Sequence, residues 1–159
     1  MVFNKKKKVE TKDIADIQYN ENGRIVIPAK YKPSDKEEFM NPIMKEYFLQ
    51  KLLKMKDDIS KELSQIVQNV LDDADGNMSG GGGDEVDRAN DETLRQMELS
   101  TTENYRLTLQ KIDNALKRIE DDSYGYCVIT GDPIEVKRLD ARPLSSKTLE
   151  AQEELDDAM

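Results

Sequence analysis

The sequence predicts a mainly α protein: a long antiparallel coiled-coil hairpin standing on a small mixed knob, with a further helix at the C-terminal end. Three observations predict it. Two apolar stripes with near-heptad spacing are joined by one polar, glycine-rich segment. The composition, 36% apolar and 36% charged with no tryptophan, is thin for a compact globule of 159 residues and suits helices that bury one seam and wet the rest. Beyond Asp122 the texture changes to β-branched and aromatic residues around a Thr-Gly-Asp-Pro turn.

Taken in chain order, residues 1–40 show little helical periodicity. A basic run, Lys5–Lys8, reads as a solvated tail, and Arg24–Pro28 is a short β-like stretch ended by proline. We expect a partly disordered arm that packs on the knob. In "MNPI", Asn41 has the chemistry of an N-cap and Pro42 that of a first helical residue. Phe48, Leu52, Met55, Ile59, Leu63, Ile66 and Val70 then recur at intervals of 4, 3, 4, 4, 3 and 4. That is an a/d stripe close to the 3.5-residue repeat of a coiled coil. The second stripe runs through Val86, Ala89, Leu94, Met97, Tyr105, Leu109, Ile112, Leu116 and Ile119, diluted in the middle by Ser100, Thr101, Thr102 and Asn104. Each helix should have ~33–37 residues and so reach ~50 Å at 1.5 Å per residue. The hairpin is expected over 41–122 with its tip at 74–89, and a globular region with the last helix over 123–159. "SYGYCVITGDPIEVKRLDARP" suggests a small β-hairpin, and "SSKTLEAQEELDDA" a helix capped by Ser145 or Ser146. A rival arrangement is one helix pair per chain assembling into a larger bundle.

Charge and chemistry narrow the function. From Asp72 to Glu92 there are eight acids and one base, Arg88, and the whole chain carries −9. A non-specific nucleic-acid binder needs the opposite sign. The chain has no histidine, so the commonest general base and metal ligand is missing, and one cysteine, Cys127, excludes an internal disulfide framework and a multi-cysteine zinc site. An enzyme is not expected. No apolar run approaches the ~18 residues of a membrane span, and a cytoplasmic protein is expected. Asp84 and Asp87, at the start of the second helix, suit an N-cap and the positive end of the dipole. The same carboxylates, projecting from the end of a rod, could equally pair with basic side chains in a partner's cleft or coordinate a cation. Cys127 reads as a small buried hydrophobe. A fold that brought Lys111 beside Arg142 would create a phosphate-sized site, because arginine grips phosphate bidentately and lysine adds a point charge.

The string "LQKIDNALKRIEDDSYGYCVITGDPIEVKRLDARP", with "DEVDRA" upstream and "EEFMNPIMKEYF" before the first stripe, resembles the DksA/TraR family of bacterial transcription factors. The resemblance runs from about Glu37 to Gln152 and looks most like the family's cysteine-poor branch. It implies a factor that binds RNA polymerase and not DNA; a hairpin whose seam is satisfied internally should be a monomer, and no membrane partner is expected. The hairpin would enter the secondary channel and alter the lifetime of the promoter open complex, with the tip motif on Asp84, Asp87 and Ala89. It also implies cooperation with ppGpp, the stringent-response alarmone, at rRNA promoters. The matching residues are Lys111 and Arg142, with Gln152 where the family often has lysine. The knob would be zinc-finger-like without zinc, since the four ligand positions read Cys127, Thr130, Thr148 and Ala151. Packing by Tyr124, Tyr126, Ile129, Ile134, Leu139 and Leu149 would replace the metal. Lys147 stands where the family usually has an apolar residue, and Gly83, after three more glycines, where it usually has proline. The alternative function is a structural hairpin that dimerises or binds another helical partner.

Overall fold

The structure, a computed structural model, describes residues 17–77 and 85–159, with the side chains of 74–77 set aside. The described residues contain four helices: α1 (Pro42–Asn77), α2 (Glu85–Glu120), α3 (Val136–Ala141) and α4 (Leu149–Ala158). The first two have 36 residues each, within the length expected from the stripes. The mainly helical fold is as the sequence predicts. The chain forms two compact units: the described residues up to Leu52 with Leu116–Met159, and Leu53–Ala115.

The start of α1 follows from its sequence. Asn41 Oδ1 accepts the Met44 N–H at 2.9 Å, satisfying a donor that the first turn leaves without a helical partner, and Pro42 takes the position that needs none. α2 ends where Asp122 turns left-handed (φ 63°), so that the N–H groups of Ser123 and Tyr124 both reach the Arg118 carbonyl.

In the first unit the core is Met44, Phe48 and Leu52 of α1, with Tyr124, Cys127, Ile134, Val136, Leu139 and Ala151, all buried. Phe48 packs on Tyr124 (centroids 5.7 Å), and Phe39 meets the edge of Tyr126 at 5.3 Å. Three expectations are corrected here. The segment after Ser123 forms a single antiparallel bridge, Tyr126 to Pro133, and no hairpin strands. Cys127 N–H bonds the Asp132 carbonyl at 2.8 Å and Ile134 N–H the Gly125 carbonyl at 2.7 Å, but the Cys127 carbonyl is already taken by the Gly131 N–H of a tight turn, which ends the ladder after one bridge. Arg24–Pro28 likewise contributes one bridge, Tyr19 to Ile25, across an Asn20–Gly23 turn. Second, Ile129 (53% exposed) and Leu149 (52%) are not core residues, and Val136 and Ala151 take their places. The tight 127–131 turn points Ile129 outward, and Leu149, first residue of its helix, leaves the inward face to Ala151. Third, the cap of α4 is Thr148, whose Oγ1 accepts the Ala151 N–H, rather than Ser145 or Ser146. The Ser146 carbonyl accepts the Val128 N–H instead.

In the second unit α1 and α2 run antiparallel. Lys56 pairs with Asp113 at 2.8 Å, and the Tyr105 hydroxyl donates to Glu62 at 2.6 Å, so numbers rise on one helix as they fall on the other. Ile112 and Ala115 are buried, whereas Met55, Ile59, Leu63 and Ile66 are half-buried. Further along, Leu94 (59% exposed) and Met97 (62%) lie open. A cleft of about 290 Å³ lined by Val70, Asp72, Asp73, Asp91, Leu94, Arg95 and Glu98 separates the helices there. Apolar residues face apolar residues near Ile112, but Thr101, Glu98 and Asp91 stand on α2 where the far part of the seam needs carbon.

Candidate functional site

Two sets of residues carry the functional expectations. In the tip motif, Asp84 lies outside the described residues. Asp87 is the third residue of α2, exposed, and with Glu85 forms the acidic first turn that the helix dipole favours. Ala89 is exposed two residues on. Small and uncharged, it leaves its own part of the helix surface, on the other side from Asp87, open to close approach. The acids lining the cleft extend the negative surface along the far end of both helices, against one base, Arg95. Such a surface attracts cationic side chains or competes for a bound cation; among the described residues no three acid, cysteine or histidine groups are arranged to hold a metal.

The phosphate-binding expectation falls on two units. Lys111 is an exposed residue of α2 in the unit Leu53–Ala115. Arg142 and Gln152 belong to the other. Arg142 follows the last residue of α3 and its side chain is exposed. Gln152 is half-buried on α4 and donates from Nε2 to Asp156 Oδ1 at 3.0 Å, which occupies the amide within its own helix.

The four positions of the finger-like knob do not fit zinc. Ala151 has no ligand atom, Thr148 Oγ1 is taken up as the α4 cap, and one thiolate remains where a structural site needs four N or S donors. Cys127 retains a different role. Burial pushes its thiol up, but hydrogen bonds from the Thr130 hydroxyl and from the N–H groups of Thr130, Thr148 and Ile129 more than reverse this and bring its pKa to about 6. Amide donors thus stabilise the negative sulfur at a place where a metal would otherwise do so.

Sequence reasoning missed one cluster in the same unit. Asp140 of α3 accepts from the Tyr47 hydroxyl at 2.7 Å and from Lys51 Nζ at 2.7 Å, and Lys51 also bonds the Asp140 carbonyl at 2.5 Å. Burial raises the Asp140 carboxyl, but Lys51 and Tyr47 outweigh it and hold the group below its usual range. Burial, then Asp140, pushes Tyr47 up to about 12. The i, i+4 pair of Tyr47 and Lys51 was visible as a shared helix face, but its partner is about ninety residues away and leaves no local signal. No described helix is long and apolar enough to cross a membrane.

Known proteins place this arrangement. Residues 44–119, nearly all of α1 and α2, match the family model described as DnaK suppressor protein DksA, N-terminal domain. The RNA polymerase-binding transcription factor DksA of Caulobacter vibrioides (strain NA1000 / CB15N) is 43% identical over 129 residues, 81% of this chain and 87% of that one. The protein of the same name from Escherichia coli (strain K12) is 32% identical over 127 residues, 80% of each chain. Among solved structures, transcription factor DksA2 from Pseudomonas aeruginosa superposes with a TM-score of 0.67 at 29% identity, covering 76% of this chain and 88% of that one. With the paired helices, the knob and this degree of identity in agreement, the chain belongs to the DksA family.

Proposed function

We infer that this chain is a transcription regulator that binds RNA polymerase, inserts the tip of its hairpin into the secondary channel and alters the stability of promoter open complexes, in concert with ppGpp. The observation that carries this reading is the 43% identity to an RNA polymerase-binding factor over four fifths of both chains. The exposed Asp87 and Ala89 at the head of α2, and the acidic surface behind them, support it physically. The factor makes and breaks no bond. It acts by binding one state of the polymerase more tightly than another, which shifts their populations by its difference in affinity. Lys111 and Arg142 supply the cationic groups for the alarmone phosphates, and Gln152 a neutral one. The factor works in the cytoplasm without zinc, as a monomer, and its acidic surface keeps it off DNA.

The test is Asp87→Asn, which removes a charge and keeps the shape. The variant should lose regulation of an rRNA promoter in vitro while its affinity for polymerase stays within ~3-fold, since one exposed tip charge contributes little to total binding. Normal regulation by the variant would remove the tip from the mechanism. A second reading, a hairpin that packs on another helical partner or on its own copy, is favoured by the exposure of Val86, Leu94 and Met97.

A further inference from the structure

Arg142 leaves the end of α3 between two fixed residues. Before it, the carboxylate and the carbonyl of Asp140 are both gripped by Lys51, and the carboxylate also by Tyr47. After it, the Pro143 carbonyl accepts the hydroxyl of the buried Tyr124 at 2.6 Å. Arg142 itself donates its N–H to the Arg138 carbonyl at 2.8 Å, and its carbonyl accepts the Ser145 N–H at 3.0 Å. The gripping side chains are themselves wedged. Tyr47 meets Phe48 edge-on at 5.3 Å and Tyr31 at 5.7 Å, and Lys51 Nζ lies 5.6 Å from the Tyr47 ring centre. Among the described residues, the Arg142 guanidinium by contrast has no hydrogen bond and no ion pair, whereas nearby Arg138 donates from Nε to the Lys147 carbonyl. Those bonds dock α3 against α1 and Tyr124, and the immobility they also give the root of the exposed Arg142 side chain is available for function. It has a use in binding. A side chain whose root is already immobile gives up less freedom when it closes on a ligand.

We propose that Tyr47, Lys51 and Tyr124 are positioning residues that clamp the 140–143 backbone and so pre-organise Arg142 for a phosphate group of a nucleotide ligand. The identity of that nucleotide rests on the ppGpp reading above; the clamp does not.

Lys51→Met keeps the aliphatic stem and removes both bonds to Asp140. In the free full-length factor, the backbone amide order parameter of Arg142 by NMR relaxation should fall from ~0.85 to below ~0.6. In promoter assays with polymerase, the ppGpp concentration for half-maximal effect should rise ~10-fold, with polymerase affinity in the absence of ppGpp within ~2-fold of wild type. Lys51→Arg should restore both readouts. Tyr47→Phe, which loses a single hydrogen bond and keeps the ring, should show the same pattern at ~3-fold and remains informative if Lys51→Met fails to fold. Adding Lys51→Met to Arg142→Ala should cost nothing beyond Arg142→Ala alone. A rigid Arg142 amide in both variants overturns the clamp, as does an equal fall in ppGpp response and polymerase affinity. If Arg142→Ala leaves the ppGpp response intact, the alarmone reading fails, and the order parameters still decide the clamp by themselves.

Discussion

Gly125 shows how one residue holds the knob together. Its φ of 90° lies in the region L side chains avoid, and a Cβ there would stand 2.6 Å from Met40 Cε and 3.0 Å from Phe39 Cζ. Gly125→Ala should therefore destabilise the protein by about 1–3 kcal/mol, chiefly through backbone strain, since the Met40 methyl is the end of a flexible side chain and can move aside, as read by urea unfolding. Cys127 makes a prediction of the opposite kind. Its thiol has a folded pKa of about 6, below its ordinary value of 9.0, so between these limits the native state binds fewer protons than the unfolded chain. Stability from this group is fully present above the unfolded pKa and is lost as pH falls through the folded one. The stability difference between wild type and Cys127→Ser should grow from pH 6 to pH 9, with thiolate absorbance near 240 nm appearing around pH 6. That Cys127 is buried was legible from its apolar neighbours. That its sulfur sits among amide donors was not, because those donors come from residues 129, 130 and 148, brought together by a turn and a helix start that composition does not encode.

Among the elements, α1 and α2 were the most legible, because a repeat of 3 and 4 residues over many turns is hard to produce except by a helix with one buried face. Their burial was less so. Periodicity tells which residues point toward the seam; it does not tell how closely the two helices approach. Thr101, Glu98 and Asp91 decide that on α2, and the helices part around the cleft at Val70 and Leu94. Hydrogen exchange should follow this packing. Amides near Phe48 and Leu52 should be protected at least ~100-fold more than those near Val70 or Leu94, measured along both helices by mass spectrometry, because opening there exposes little additional apolar surface. The misread element was the β-hairpin of the knob. Val128 and Ile129 have strand propensity, but the tight turn closed by Gly131 N–H on the Cys127 carbonyl and the bond from Val128 N–H to the Ser146 carbonyl take the groups a second pair would need, and the local preference yields to them.

At the scale of the whole molecule, charge is segregated: the far parts of α1 and α2 and the segment joining them hold −7 of the chain's −9. Two copies packing those parts together would bring like charges into contact, which weighs against the dimer reading. Sedimentation should give the mass of one chain at every concentration, and a mass that rises with concentration would revive the helical-partner alternative. Family membership was legible from the YGYC and KRLDARP strings; the mounting of Arg142 was not, since it depends on Tyr47 and Lys51, which are remote from it in the chain. The cleft at Leu94 has one more consequence, and it is calorimetric. Apolar surface left wet in the free protein is available to be dried on contact, so a partner whose walls cover Val86, Leu94 and Met97 would bind with a more negative heat-capacity change than a pre-zipped hairpin could give. Part of the association energy would go into ordering the helices, leaving a complex that forms specifically and lets go quickly.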